Sequence, residues 1–147
     1  MTGGRPPGEP ARRVRRVSSG APWEPVVGYS RAVAAGDHVF VTGCTSIVDG
    51  TVVHEGEPYA QAVQAIRNVE AALAQLGCTL ADVVRTRIFV TDIGRWQDYG
   101  RAHGELFGAA MPATSMVEVS RLIDPRMLVE IEAVAYHPGV GGPAEPA

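Results

Sequence analysis

The sequence predicts an α+β domain, a mixed β-sheet with two helices packed on one face. Three observations lead there. Two long segments repeat their apolar residues at the helical period. Several short segments alternate at the period of two. The late strands each carry one apolar and one charged face. At 147 residues the chain is one domain's worth.

Residues 1–14 hold Gly, Pro and Arg with few apolar groups and are expected to be a disordered tail, as are residues 138–147. The folded body is expected at 15–137. A short first strand is read at 15–18, and an irregular loop at 20–28, where Pro22 and Pro25 interrupt the chain. Residues 28–33 alternate as a strand, and Ala35-Gly36-Asp37 forms a turn. Residues 38–43 are apolar and β-branched, a strand ending at Gly43. Asp49-Gly50 between Val48 and Val52 signals a hairpin.

Residues 59–77 form the clearest helix. Its apolar residues stand at 62, 63, 66, 69, 73 and 76, and Gly77 is suited to stop it. Thr79 to Asp82 reads as a capped turn, and 83–90 as a strand. A second helix is expected over 93–107, with Ile93, Trp96, Tyr99, His103 and Leu106 on one stripe; Gly100 and Gly104 weaken it. Strands at 114–122 and 128–136 complete the body.

Separated by face, strand 83–91 gives Val84, Thr86, Ile88 and Val90 against Arg85, Arg87, Phe89 and Thr91. Strand 114–122 gives Ser115, Val117 and Val119 against Thr114, Met116, Glu118 and Ser120. Strand 128–136 gives Val129, Ile131, Ala133 and Ala135 against Leu128, Glu130, Glu132 and Val134. The first set suits packing under helices. The second mixes Arg87, Glu118, Glu130 and Glu132 with Phe89, Met116 and Leu128. This is too apolar for a solvated face and too charged for a monomer core unless the charges pair. An oligomer interface holding a polar site fits both facts. The alternative is that Arg87, Glu118 and Glu132 only form salt bridges between subunits.

The formal net charge is −3, which gives no electrostatic case for nucleic acid. No apolar run reaches the ~18 residues of a membrane span, and the N-terminal arginines precede no signal-type apolar core. Cys44 and Cys78 match neither a zinc nor a redox spacing and are expected as reduced, buried thiols of a cytoplasmic protein. His38, His54, His103 and His137 lie in four separate elements without metal-type spacing, so no metal is expected. Phosphate loops and nucleophile elbows are absent.

Several segments resemble the RidA/YjgF (reactive intermediate deaminase, L-PSP endoribonuclease-like) family. They are Gly28-Tyr29-Ser30-Arg31-Ala32, Gly36 to Gly43, Gln64 to Gly77, Val83 to Asp92, Pro112 to Val119 with Arg121-Leu122, and Val129 to Ala135. They cover about residues 17–137 in the family's order. The resemblance implies a chorismate-mutase-like fold and a homotrimer whose three sheets form a central barrel. It also implies three clefts between subunits, each binding a small molecule. Archetypal members hydrolyse enamines and imines released by pyridoxal-phosphate enzymes to a 2-oxo acid and ammonia, without a cofactor. Tyr29 matches the cleft tyrosine and Glu130 the water-orienting glutamate.

Three positions depart from the pattern. Thr114 stands where the family's arginine grips a substrate carboxylate, Met116 replaces the cleft cysteine, and Gly100 replaces an asparagine. A threonine hydroxyl cannot make the bidentate contact of a guanidinium. Losing one charged partner costs about 1.5–3 kcal/mol, or about ten- to a hundredfold in affinity. Arg87 and Arg31 are the candidate replacements.

Three functions are therefore weighed. The first is a hydrolase or deaminase using Glu130 to activate water, with Tyr29 steadying the substrate. The second is a non-catalytic, metabolite-binding trimer with a more apolar pocket at Met116. The third, a ribonuclease or translation inhibitor, lacks both a basic face and a catalytic histidine pair.

Overall fold

The computed structural model describes residues 13–142. Six strands form one sheet in the order β1-β2-β3-β8-β6-β7: β1 (Val14–Val17), β2 (Ala32–Ala35), β3 (His38–Cys44), β6 (Val83–Val90), β7 (Ala113–Glu118) and β8 (Val129–Tyr136). All neighbours are antiparallel except β6 and β7, which run parallel. A separate two-stranded hairpin, β4 (Ile47–Val48) with β5 (Thr51–Val52), follows β3 at the expected Asp49-Gly50. Helices α2 (Pro58–Ala74) and α3 (Trp96–Phe107) pack on each other, and α2 lies on β3 and β8.

The core is the layer between sheet and helices. Ala32, Val39, Ile88, Val129, Ile131 and Ala135 from the sheet meet Ala62, Ile66, Val69, Leu73, Tyr99 and Phe107 from the helices, all buried. Helix α2 starts with Pro58, whose missing N–H would be unsatisfied there anyway. Gly77 adopts a φ of 75° just past its end, and Cys78 N–H returns to the Leu73 carbonyl at 3.0 Å.

Two side chains, the buried Gln61 and the half-buried Asn68, tie loops to α2. Gln61 donates to the carbonyls of His54 (3.2 Å) and Arg126 (2.8 Å) and accepts from Leu128 N–H. Asn68 donates to the carbonyls of Thr45 and Ile47.

Several expectations are corrected. Residues 23–27 form a short helix, α1 (Trp23–Val27), inside the expected loop; the buried Glu24 carboxylate accepts from Ser19 and Ala21 N–H groups and organises it. The expected strand at 28–33 begins only at Ala32. Val84 is exposed while Val83 is buried, because a bulge between Val83 and Arg85 reverses the alternation. Residues 93–95 form a 3-10 turn ahead of α3, which shifts the helical phase and leaves Ile93 and Trp96 exposed.

The ordered body also reaches further than expected at both ends. Val14 belongs to β1. Val140 is buried, and Gly141 N–H bonds the Gly36 carbonyl at 2.8 Å. The rest of the expected tails, 1–12 and 143–147, lies outside the described residues.

The largest correction concerns β7. Its parallel register pairs Thr114 with Thr86, Met116 with Ile88 and Glu118 with Val90. Thr114, Met116 and Glu118 therefore face the helix side, and Ser115 and Val117 share the outer face with Arg87 and Phe89. This reverses the assignment made by hydrophobicity. The strand is an edge and mostly exposed on both faces, so its pattern does not report which face turns inward. It also ends at Glu118 rather than 122, where Glu118 accepts from Ile93 N–H. Leu128, placed on the charged face by alternation, packs against the core instead.

Candidate functional site

Arg31 and Glu130 both reach Gly43, and the Tyr29 ring lies beside Arg31. Arg31 follows the left-handed Gly28, whose φ is 85°, and its backbone pairs with both neighbours: its N–H bonds Val17 and its carbonyl accepts from Thr42. Its guanidinium donates to the Gly43 carbonyl at 2.9 Å and approaches Cys44 Sγ at 3.6 Å. The same guanidinium lies 5.9 Å from the Tyr29 ring centre. Both side chains are half-buried.

Glu130 reaches this cluster from β8 by lying across Gly43. A Cβ on Gly43 would stand 2.6 Å from Glu130 Cδ, so glycine here lets the carboxyl group lie across β3, and a larger residue would push it aside. Burial first, and the charge of Glu132 second, push the Glu130 carboxyl above the usual glutamate range, while Arg31 opposes them. Among the described residues Glu130 makes no hydrogen bond or ion pair. It is a half-buried acid with raised proton affinity near the Arg31 cation, which lies by the Tyr29 ring. Such a group can hold and deprotonate a water. A cavity of about 440 Å³ adjoins the cluster, lined by Arg31, Gly43, Cys44, Trp23 and Asn68.

The other predicted site residues lie elsewhere. Arg87 is on the outer face but bonds Glu132 at 2.9 Å, a salt bridge within the chain. Thr114 turns to the helix side, where its hydroxyl meets Thr86 Oγ1 at 2.7 Å, the Pro112 carbonyl at 3.1 Å and His103 Nε2 at 3.4 Å. His103 also meets Thr86 at 2.8 Å, and burial lowers its pKa. Met116 packs partly against the core. Gly100 lies on α3 beside Trp96.

One chain thus brings Arg31 and Glu130 together at Gly43, with Tyr29 beside Arg31, and holds Thr114, Met116 and Gly100 on the helix side of the sheet. Sequence reading missed Gly43 and the Thr86–His103–Thr114 network as site features. A glycine closing an apolar strand was the available signal for the first. The second required the register of β7.

The chain matches the model of the Endoribonuclease L-PSP family over residues 19–137. It is 42% identical over 127 residues to the Streptomyces coelicolor protein SCO2049, covering 86% of this chain and 95% of that one. A RutC family protein of Pyrococcus abyssi is 35% identical, with 77% and 89% covered. Among solved structures, Rv2704 of Mycobacterium tuberculosis, described as a member of the YjgF/YER057c/UK114 family, is 53% identical with a TM-score of 0.76, covering 84% of this chain and 98% of that one. The YjgF gene product of E. coli aligns at 28% identity and a TM-score of 0.71, covering 82% and 93%. The α+β sheet with its helices on one face is the fold of these proteins, and the chain belongs to the RidA/YjgF (YjgF/YER057c/UK114, endoribonuclease L-PSP) family.

Proposed function

We propose that this protein is a cofactor-independent hydrolase of small imines or enamines, working as a homotrimer in clefts between subunits. The observation that carries this reading is the Glu130 carboxyl, without a partner among the described residues and with raised proton affinity, laid over Gly43 near Arg31. In its ionised form Glu130 takes a proton from a bound water as the oxygen attacks the C=N carbon. That proton is returned to nitrogen, giving a carbinolamine; the hydroxyl proton then moves through Glu130 to nitrogen as the C–N bond breaks, and a carbonyl compound and ammonia leave. Arg31 supplies the positive charge at the cluster, the role for which Arg87 is less suited because Glu132 already holds it.

The outer face supports assembly. Phe40, Tyr136 and Val117 are about half exposed there (51%, 47% and 46%), and Arg85 Nε is buried without a partner. A second copy packed on this face would cover the apolar groups. It would also place the edge strand carrying Thr114 and Met116 within reach of a neighbour's Glu130, which one chain alone cannot do. The mass in solution is expected near three times 15.5 kDa by light scattering; a monomer at micromolar concentration contradicts this.

A second reading, a metabolite-binding trimer without chemistry, is favoured by one observation. The Thr114 hydroxyl, at the family's clamp position, is occupied by Thr86, Pro112 and His103. Hydrolysis of freshly generated 2-iminopropionate and 2-iminobutyrate separates the two. Activity in the wild type that disappears in Glu130→Ala supports the hydrolase. Activity found only in Thr114→Arg supports the binding protein, with a ligand other than a small imino acid. The ribonuclease activity that the family's name suggests finds no support in a chain of net charge −3.

A further inference from the structure

Away from the cleft, three metal-ligating side chains from three elements converge. Cys78 follows the end of α2, Asp82 closes the 3-10 turn before β6, and His137 follows β8. Their ligand atoms all lie within 4.8 Å of one another, and His137 Nδ1 stands 3.5 Å from Asp82 Oδ1. The site is at the opposite end of β8 from Glu130. Residues 131–136 lie between them, so seven steps of extended chain separate the two, about 23 Å at the usual rise.

We infer that Cys78, Asp82 and His137 form a binding site for a divalent transition-metal ion of the zinc type. A thiolate, an imidazole and a carboxylate are the donor set that such an ion takes, and two negative charges balance its charge. Tetrahedral bonds of about 2.0–2.3 Å place donors about 3.5 Å apart. The His137–Asp82 separation already meets this, and the thiol needs a shift of about 1 Å.

The supporting shell is also present. The other oxygen of Asp82 accepts Thr79 N–H at 2.9 Å in a capping box, which fixes the carboxylate and leaves Oδ1 toward the histidine. His137 is anchored by its N–H to the Asp37 carbonyl at 2.8 Å, and Val140 N–H returns to its carbonyl at 3.1 Å. Cys78 is buried, while the side chains of His137 and Asp82 remain 43% and 26% exposed. Three donors thus floor the site and the fourth position opens to solvent. Histidine spacing in the sequence could not reveal it, because its donors are one of each type.

Cobalt(II) titration of the full chain tests this. The wild type is expected to bind one ion and to develop a thiolate-to-cobalt charge-transfer band that zinc abolishes by competition. Cys78→Ala should lose the band, and His137→Ala should weaken binding at least tenfold. Cys44→Ala should retain both. His137 is a partly exposed side chain, so its variant keeps the test open if Cys78→Ala does not fold. Absence of the band in the wild type, or its persistence in folded Cys78→Ala, overturns the proposal.

Discussion

The two faces of the sheet solve opposite problems. On the helix side, Val39, Ile88, Val129 and Ile131 are sealed by α2 and α3, and the polar groups that enter are saturated. Gln61 uses both ends of its amide, and Thr86 bonds both His103 and Thr114. On the outer face Glu130 is half-buried and, among the described residues, neither Glu130 nor the buried Arg85 Nε has a partner. The first face makes the fold. The second carries unsatisfied polar groups and exposed aromatics, the condition under which a surface binds something.

Substitutions on the two faces should therefore fail in different ways. The largest loss of stability is expected from Gln61→Leu, which strands the Leu128 N–H and two loop carbonyls. A cost of about 2–4 kcal/mol in urea unfolding follows from orphaned buried groups. Thr86→Val, on the same face, removes hydrogen bonds to His103 and Thr114 and should cost about 1–3 kcal/mol. On the outer face, Phe40→Glu should disperse the proposed trimer, read by light scattering, while leaving the circular dichroism spectrum unchanged. Arg87→Gln breaks a half-exposed ion pair and should change stability by only about 0–1 kcal/mol. A loss of several kcal/mol there would erase the contrast between the faces.

Much of this division could be read from the chain. The period of two in residues 128–136 separated Val129, Ile131 and Ala133 from Glu130 and Glu132, and burial follows that separation. Strong alternation works where one face is sealed and the other is not. It failed at Val84, where a bulge adds a residue, and at Thr114, Met116 and Glu118, where an exposed edge strand removes the signal. The family resemblance pointed to Tyr29 and Glu130; Glu130 lies with Arg31 at Gly43, and Tyr29 lies beside Arg31. It could not show that the threonine at the clamp position turns inward to His103, because that depends on the parallel pairing with β6.

The central claim is that Glu130 is the base, and the pH dependence of kcat for imine hydrolysis tests it most directly. A base with a raised pKa must be ionised to work, so the rate should fall on acidification through a midpoint above the ordinary glutamate value. Glu132→Gln removes a repulsive neighbouring charge, which lowers the Glu130 pKa and should move that midpoint to lower pH. Glu130→Gln should reduce kcat by about 10²–10⁴. A midpoint unmoved in Glu132→Gln, together with a Glu130→Gln variant as fast as wild type, would contradict the assignment.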